Sequence, residues 1–171
     1  SAAKDNVQNT IGLYNAALFV GGYLPGSGAR TAQTESWDGT NWTEVNDLNN
    51  GREGSAPAGT STSALYAGGY PTTYVESWNG TCWTEVADLN TARTYIAGAG
   101  ADNTSAVVFG GYAGPPSPTT NNTEVWNGSS WTEVNNLNTA RTEISGAGIS
   151  TSGLAVGGTE DPPARAYTES W

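Results

Sequence analysis

Histidine is absent from this chain of 171 residues, and that absence removes more chemistry than any other feature. Without an imidazole there is no Ser-His-Asp triad, no Cys-His pair and none of the common catalytic zinc sites. Cysteine occurs once, at Cys82, so an intrachain disulfide and a cysteine-built zinc site are both excluded. Cys82 also stands at a turn position held by Asn41 and Ser130 elsewhere, which reads as drift rather than as a nucleophile. Basic residues are scarce: 6 Lys and Arg against 16 Asp and Glu give a net charge of -10, and the single lysine is Lys4. So acidic a surface repels nucleic acid and anionic lipid, because phosphate recognition needs clustered cations. No apolar run reaches the roughly 18 residues that span a bilayer. The expectation is a chain with no cofactor that binds no nucleic acid and inserts in no membrane.

What the chain has in abundance is glycine and tryptophan, and both recur in register. The double glycines are Gly21-Gly22, Gly68-Gly69, Gly110-Gly111 and Gly157-Gly158. Tryptophans come in pairs, Trp37/Trp42, Trp78/Trp83 and Trp126/Trp131, and Trp171 opens a fourth. Each pair is followed by an Asn-containing turn that ends in Arg52, Arg93 or Arg141. A unit of roughly 41 to 48 residues repeating in this way implies a repeat architecture, in which each unit buries its apolar face on the next.

Each unit divides into four strand-sized segments, at 95–100, 106–109, 123–126 and 131–135 in the third. The second segment is a continuous apolar run, also seen at 17–20 and 64–67, which suits a strand buried on both faces. Small residues dominate the first, as in Ala97-Gly98-Ala99-Gly100, which suits an innermost strand crowded around an axis. Segments three and four form a hairpin through Asp38-Gly39, Asn79-Gly80 or Asn127-Gly128, residues that accept positive φ. A two-residue or a four-residue loop puts the flanking tryptophans on one sheet face, diagonal or directly opposed. Each pair is expected to be buried between units. No 3.6-residue period appears, so the expected fold is all-β, with four antiparallel strands per unit arranged as a β-propeller.

The run from Ala64 through Gly68-Gly69-Tyr70, then Val75-Glu76-Ser77-Trp78, Trp83-Thr84-Glu85-Val86 and Ala92-Arg93, resembles a kelch repeat. It carries the double glycine, the aromatic residue of the third strand, the tryptophan opening the fourth and the arginine before the next blade. The resemblance extends over essentially the whole chain. It departs in using Trp where kelch repeats usually have Tyr, and in a tighter turn between the third and fourth strands. About four blades are implied: three complete, at about 4–47, 52–88 and 93–136, and a partial one at about 141–171 without its outer strand. Kelch-like propellers close with roughly six or seven blades, so the expectation is part of a larger ring, formed by a longer chain or by several copies. A start at Ser1 without a visible signal peptide agrees with a processed protein or an excerpt. The copper site of galactose-oxidase-like kelch propellers is excluded along with histidine.

The catalytic option that survives is a carboxylate pair of glycosidase type. Glu35, Glu76, Glu124 and Glu169 hold one position of the repeat, however, and Glu44, Glu85 and Glu133 hold another. A carboxylate present in every blade reads as scaffold, so the chain is expected not to be an enzyme. Arg52, Arg93 and Arg141 would ring one face near the axis, either offering bidentate hydrogen bonds to an anionic or sugar ligand or tying down carbonyls and carboxylates of the protein. Oxygen-rich spots at Asp102-Asn103 and Glu160-Asp161 lack the spacing of a calcium loop. Sequons at Asn41, Asn79, Asn103, Asn121 and Asn127 matter only in a source that glycosylates.

Variation is concentrated just after the double glycines, at 23–30, 70–74, 112–118 and 159–165, while the units are otherwise near copies. Loops on a rigid scaffold are where recognition resides, and prolines there lower the entropy cost of holding a shape. Tyr23, Tyr70 and Tyr112 stand at the loop bases, offering flat faces suited to stacking on sugar rings. The expected function is a non-catalytic extracellular, cell-surface or virion-surface binding module, in the style of an adhesin or tail-fibre part. Its partner would be a glycan or a protein. The rival is a purely structural element of a fibre or shell. The open edge of the last blade invites self-association.

Overall fold

A computed structural model describes residues 9–70, 72–114, 119–160 and 166–171, and those residues form strands and turns without a helix. The first blade contains β1 (Thr10–Leu13) and β2 (Ala16–Val20), a short hairpin of β3 (Tyr23–Leu24) and β4 (Ala29–Arg30), then β5 (Thr34–Trp37) and β6 (Trp42–Val45). The second contains β7 (Ala56–Gly59), β8 (Ala64–Ala67), β9 (Val75–Trp78) and β10 (Trp83–Val86). In the third are β11 (Ala97–Asp102), β12 (Ser105–Phe109), β13 (Thr123–Trp126) and β14 (Trp131–Glu133). The fourth has β15 (Ser145–Ile149), β16 (Ser152–Val156) and β17 (Thr168–Ser170). Every pairing within a blade is antiparallel, in the orders β1-β2-β5-β6, β7-β8-β9-β10, β11-β12-β13-β14 and β15-β16-β17. The fold is a four-bladed β-propeller arrangement whose last blade has three strands.

The innermost strands β1, β7, β11 and β15 contribute Ile11, Ala58, Ala99 and Ala147 to the wall of a central cavity of about 230 Å³. Small residues are required there by the approach of one backbone to the next. A Cβ on Gly98 would stand 2.7 Å from the carbonyl oxygen of Pro57, and one on Gly146 only 2.3 Å from that of Gly98. The first strand of the third blade starts at Ala97 rather than at 95, a correction with a local cause. Tyr95 adopts φ 54, a left-handed conformation that ends any extended run, so the strand starts after it.

The double glycines join one blade to the next. Both residues of each pair have positive φ, as at Gly68 (63) and Gly69 (100), a succession that side chains oppose. The second amide then donates across the seam: Gly22 N to Arg52 O at 2.9 Å, Gly69 N to Arg93 O at 2.9 Å and Gly111 N to Arg141 O at 2.7 Å.

Alternation along the second strands places apolar side chains in both seams. Tyr66 faces blade 1, where its hydroxyl donates to Asn9 Oδ1 at 2.8 Å and burial pushes its phenol up to about 12. Leu65 and Ala67 face blade 3 and pack with Ala106, Val108, Trp126 and Trp131. In β16 the same pattern leaves Leu154 (42%) and Val156 (41%) exposed, because no further blade of the described residues covers that face.

The hairpin turns have four residues, so the tryptophans stand directly opposite each other: Trp37↔Trp42, Trp78↔Trp83 and Trp126↔Trp131. Their ring centroids lie 5.2–5.4 Å apart. Asp38 Oδ1 closes its turn by accepting from the amides of Thr40 and Asn41, both at 2.8 Å. Trp78, Trp83, Trp126 and Trp131 are buried against the preceding blade, as expected. The expectation fails for the first pair: Trp37 is half-buried and Trp42 is 47% exposed, since no described blade precedes theirs.

Candidate functional site

One end of the propeller gathers the loops that follow the double glycines and the turns that lead into the next blade. Beneath them the arginines do structural work. Arg52, Arg93 and Arg141 have side chains 0–1% exposed, each paired with a carboxylate of its own blade: Glu76, Glu124 and Glu169. Arg93 donates to Glu124 Oε1 at 2.6 Å and to the carbonyl oxygens of Gly110 and Asn122 at 2.6 and 2.8 Å. Burial pulls the Arg93 guanidinium below its ordinary value, and the Glu124 carboxylate opposes that shift. The second oxygen of Glu124 accepts from both the backbone amide and the side-chain amide of Asn90, at 2.9 and 2.7 Å. Asn49 with Glu76 and Asn138 with Glu169 repeat this arrangement.

These contacts lock the outer hairpin of each blade to the turn entering that blade, the second of the two roles open to the arginines, and Arg93 is also among the residues lining the cleft between blades 2 and 3. Lys4, which aligns with them, lies outside the described residues. The asparagines Asn49, Asn90 and Asn138 went unassigned in the sequence reading, although their fixed place three residues before each arginine was the available signal. Glu44, Glu85 and Glu133 are exposed on the outer strands. Asp102 is held below the usual carboxylate value by the hydroxyl and amide of Thr104, which donate to Oδ1 at 2.6 and 2.8 Å. That carboxylate closes its own turn.

Tyrosines remain at the loop bases. Tyr70 forms an isolated bridge with Glu53, and Tyr112 bridges both Thr94 and Thr119. Tyr70 is 48% exposed, whereas Tyr23 and Tyr112 are half-buried. Between blades 2 and 3, Tyr70, Tyr112, Thr72, Thr94 and Ala92 line a cleft of about 120 Å³ with mostly apolar walls. Tyr23 does not line it. It pairs with Arg30 in the β3–β4 hairpin, so the variable segment 23–30 is a short β-ribbon in blade 1. Arg30 reaches from there to Glu53 at 3.1 Å and covers the Tyr70 ring, its guanidinium carbon 4.4 Å from the centroid. The loop residues Pro71, 115–118 and 161–165, with most of the prolines expected to stiffen these loops, lie outside the described residues, as does Asp161.

No family model and no curated protein matches the chain.

Proposed function

We propose that the chain is a kelch-like, non-catalytic binding module that presents its variable loops to a glycan or protein partner at an extracellular, cell or virion surface. The observation that carries this reading is the cleft between Tyr70 and Tyr112, two aromatic side chains set on glycine-fixed backbone where the blades differ most in length and content. Aromatic faces with a few polar groups at a cleft rim suit sugar rings, whose C–H faces are apolar and whose edges carry hydroxyls. The kelch assignment rests on the double glycines, the aromatic third strand and the arginine before each blade. A non-catalytic role is supported by the carboxylates Glu76, Glu124 and Glu169, each engaged by an asparagine and an arginine.

Tyr112→Ala, and exchange of residues 113–122 for 71–74, should each abolish recognition on a glycan array and in a host-cell binding assay. Melting temperature should change little, since a surface loop alters closure entropy only slightly. If the parent chain binds nothing in either assay, the structural-element reading replaces this one. Equal binding by parent and variants would move the site off this cleft.

Self-association is the second part of the proposal. β17 is the outermost strand of blade 4, where the other blades carry a fourth, and such an edge offers unpaired backbone groups. Light scattering of the 171-residue chain should show species above 17.6 kDa, reduced when a Trp-Thr-Glu-Val strand is appended. A stable monomer at that mass would overturn it.

A further inference from the structure

Two side chains at the axial end of the loop face hold backbone conformations that glycine would adopt without cost. The residue two after each repeat arginine is Gly54, Tyr95 or Glu143, with φ of 66, 54 and 56. Their backbones form a chain of hydrogen bonds across the inner ends of three blades. The Tyr95 amide donates to the Gly54 carbonyl at 2.7 Å, and the Glu143 amide to the Tyr95 carbonyl at 2.9 Å. Blade 2 shows that glycine satisfies this geometry. Tyrosine and glutamate at the equivalent positions keep a steric penalty that glycine would remove, and non-glycine residues retained in this region concentrate at functional sites.

Gly54 also makes room for the tyrosine. A Cβ there would lie 3.2 Å from Tyr95 Cδ1 and 2.3 Å from Thr94 Oγ1, so a side chain in blade 2 would push the Tyr95 ring away. The ring is half-buried, and its charged neighbours are Glu53, Glu143 and Arg30. Burial raises the Tyr95 phenol, with the two carboxylates adding to that and Arg30 opposing. Arg30 is itself fixed between Glu53 and the Tyr70 ring. Thr94, the residue before Tyr95, lines the Tyr70–Tyr112 cleft, so the axial group continues that cleft toward the centre of the face.

The geometry points to Tyr95 and Glu143 as ligand contacts of a subsite for a neutral sugar unit, which stacks on the Tyr95 ring and donates hydroxyl hydrogen bonds to the Glu143 carboxylate. This inference rests on the proposed glycan-binding reading and names the residues and sugar class within it. A neutral sugar is required because the Glu143 carboxylate is exposed, on a chain of net charge -10. An anionic sugar stacked on the Tyr95 ring would meet that carboxylate at close range.

The test is titration calorimetry of the intact chain with maltohexaose, cellohexaose and galactohexaose, and with hexagalacturonate as the anionic counterpart. The parent should bind at least one neutral hexamer and not the uronate. Tyr95→Asn and Glu143→Gly should each weaken that binding tenfold or more, while Tyr95→Phe keeps most of it. Glu143→Gly should melt at or above the parent temperature, the opposite of what loss of a structural residue gives. Undiminished binding by Tyr95→Asn and Glu143→Gly, with loss confined to Tyr112→Ala, overturns this subsite and leaves the cleft reading standing. Preference for hexagalacturonate overturns the neutral class. A parent that binds none of the four overturns this subsite, while the cleft reading is decided separately by the glycan array and the host-cell assay.

Discussion

Glu124→Ala should destabilise the chain by about 3–5 kcal/mol, the usual cost of removing one partner from a buried ion pair. Glu124 is 1% exposed and accepts from Arg93 on one oxygen and from both Asn90 amides on the other. Deleting the carboxylate leaves a guanidinium in a site that excludes water and removes the anchor of the 90–93 turn. Salt screens buried pairs poorly, so the loss should persist at high ionic strength. Glu133 stands opposite Glu124 on the neighbouring strand but is exposed, and Glu133→Ala should change stability by less than about 0.5 kcal/mol. Urea unfolding of the two variants gives the comparison. Replacing both partners, Arg93→Met with Glu124→Leu, should recover much of the loss, because apolar pairs of similar volume avoid the desolvation cost. A Glu124→Ala variant within about 1 kcal/mol of the parent would show that the pair is not what locks the blade.

The blades were legible because their signals are short-range and repeated. Gly-Gly demands positive φ, Asn-Gly demands a tight turn, and tryptophans flanking that turn must meet across it whichever loop length holds. One blade carries each signal once, whereas three in register leave little freedom. Less legible was anything set by conformation at one residue. Tyr95 and Glu143 carry no sequence sign of a left-handed backbone beyond their alignment with Gly54, so the start of the innermost strand fell two residues early. The β3–β4 hairpin was missed for a similar reason, since two-residue strands have no period to detect.

The candidate site was legible in location and not in chemistry. Loop variation and the tyrosines Tyr70 and Tyr112 converge on one cleft between blades 2 and 3. The arginines are as regular as the glycines, and regularity alone could not separate a ring of ligand contacts from a lock repeated in each blade. Burial separates them, and burial depends on the turn folding back over each guanidinium. Arg30, by contrast, lies in a variable loop and reaches Tyr70 from a neighbouring blade, a contact across 40 residues of sequence that no local pattern encodes.

Trp83→Ala and Trp42→Ala offer the sharpest contrast, because the two residues occupy one position of the repeat. Trp83 is 5% exposed, donates its indole N–H to Thr34 Oγ1 at 3.1 Å and packs with Ile11, Leu18 and Val20 of the preceding blade. It also meets the edge of Tyr66 at 6.3 Å. Removing it opens a large cavity in the first seam and orphans part of a second aromatic pair, so the expected loss is about 3–5 kcal/mol. For a chain of this size that lowers the melting temperature by roughly 10 °C. Among the described residues Trp42 has Trp37 at 5.4 Å and Phe19 at 6.5 Å as ring partners, with 47% of its surface in solvent. Its truncation should cost about 1 kcal/mol or less, because most of the transfer energy was never gained. Calorimetric melting of both variants at low concentration, where chains do not associate, measures the difference. Equal losses at the two positions would mean that Trp42 is buried in solution, and that its face of blade 1 is covered by another surface.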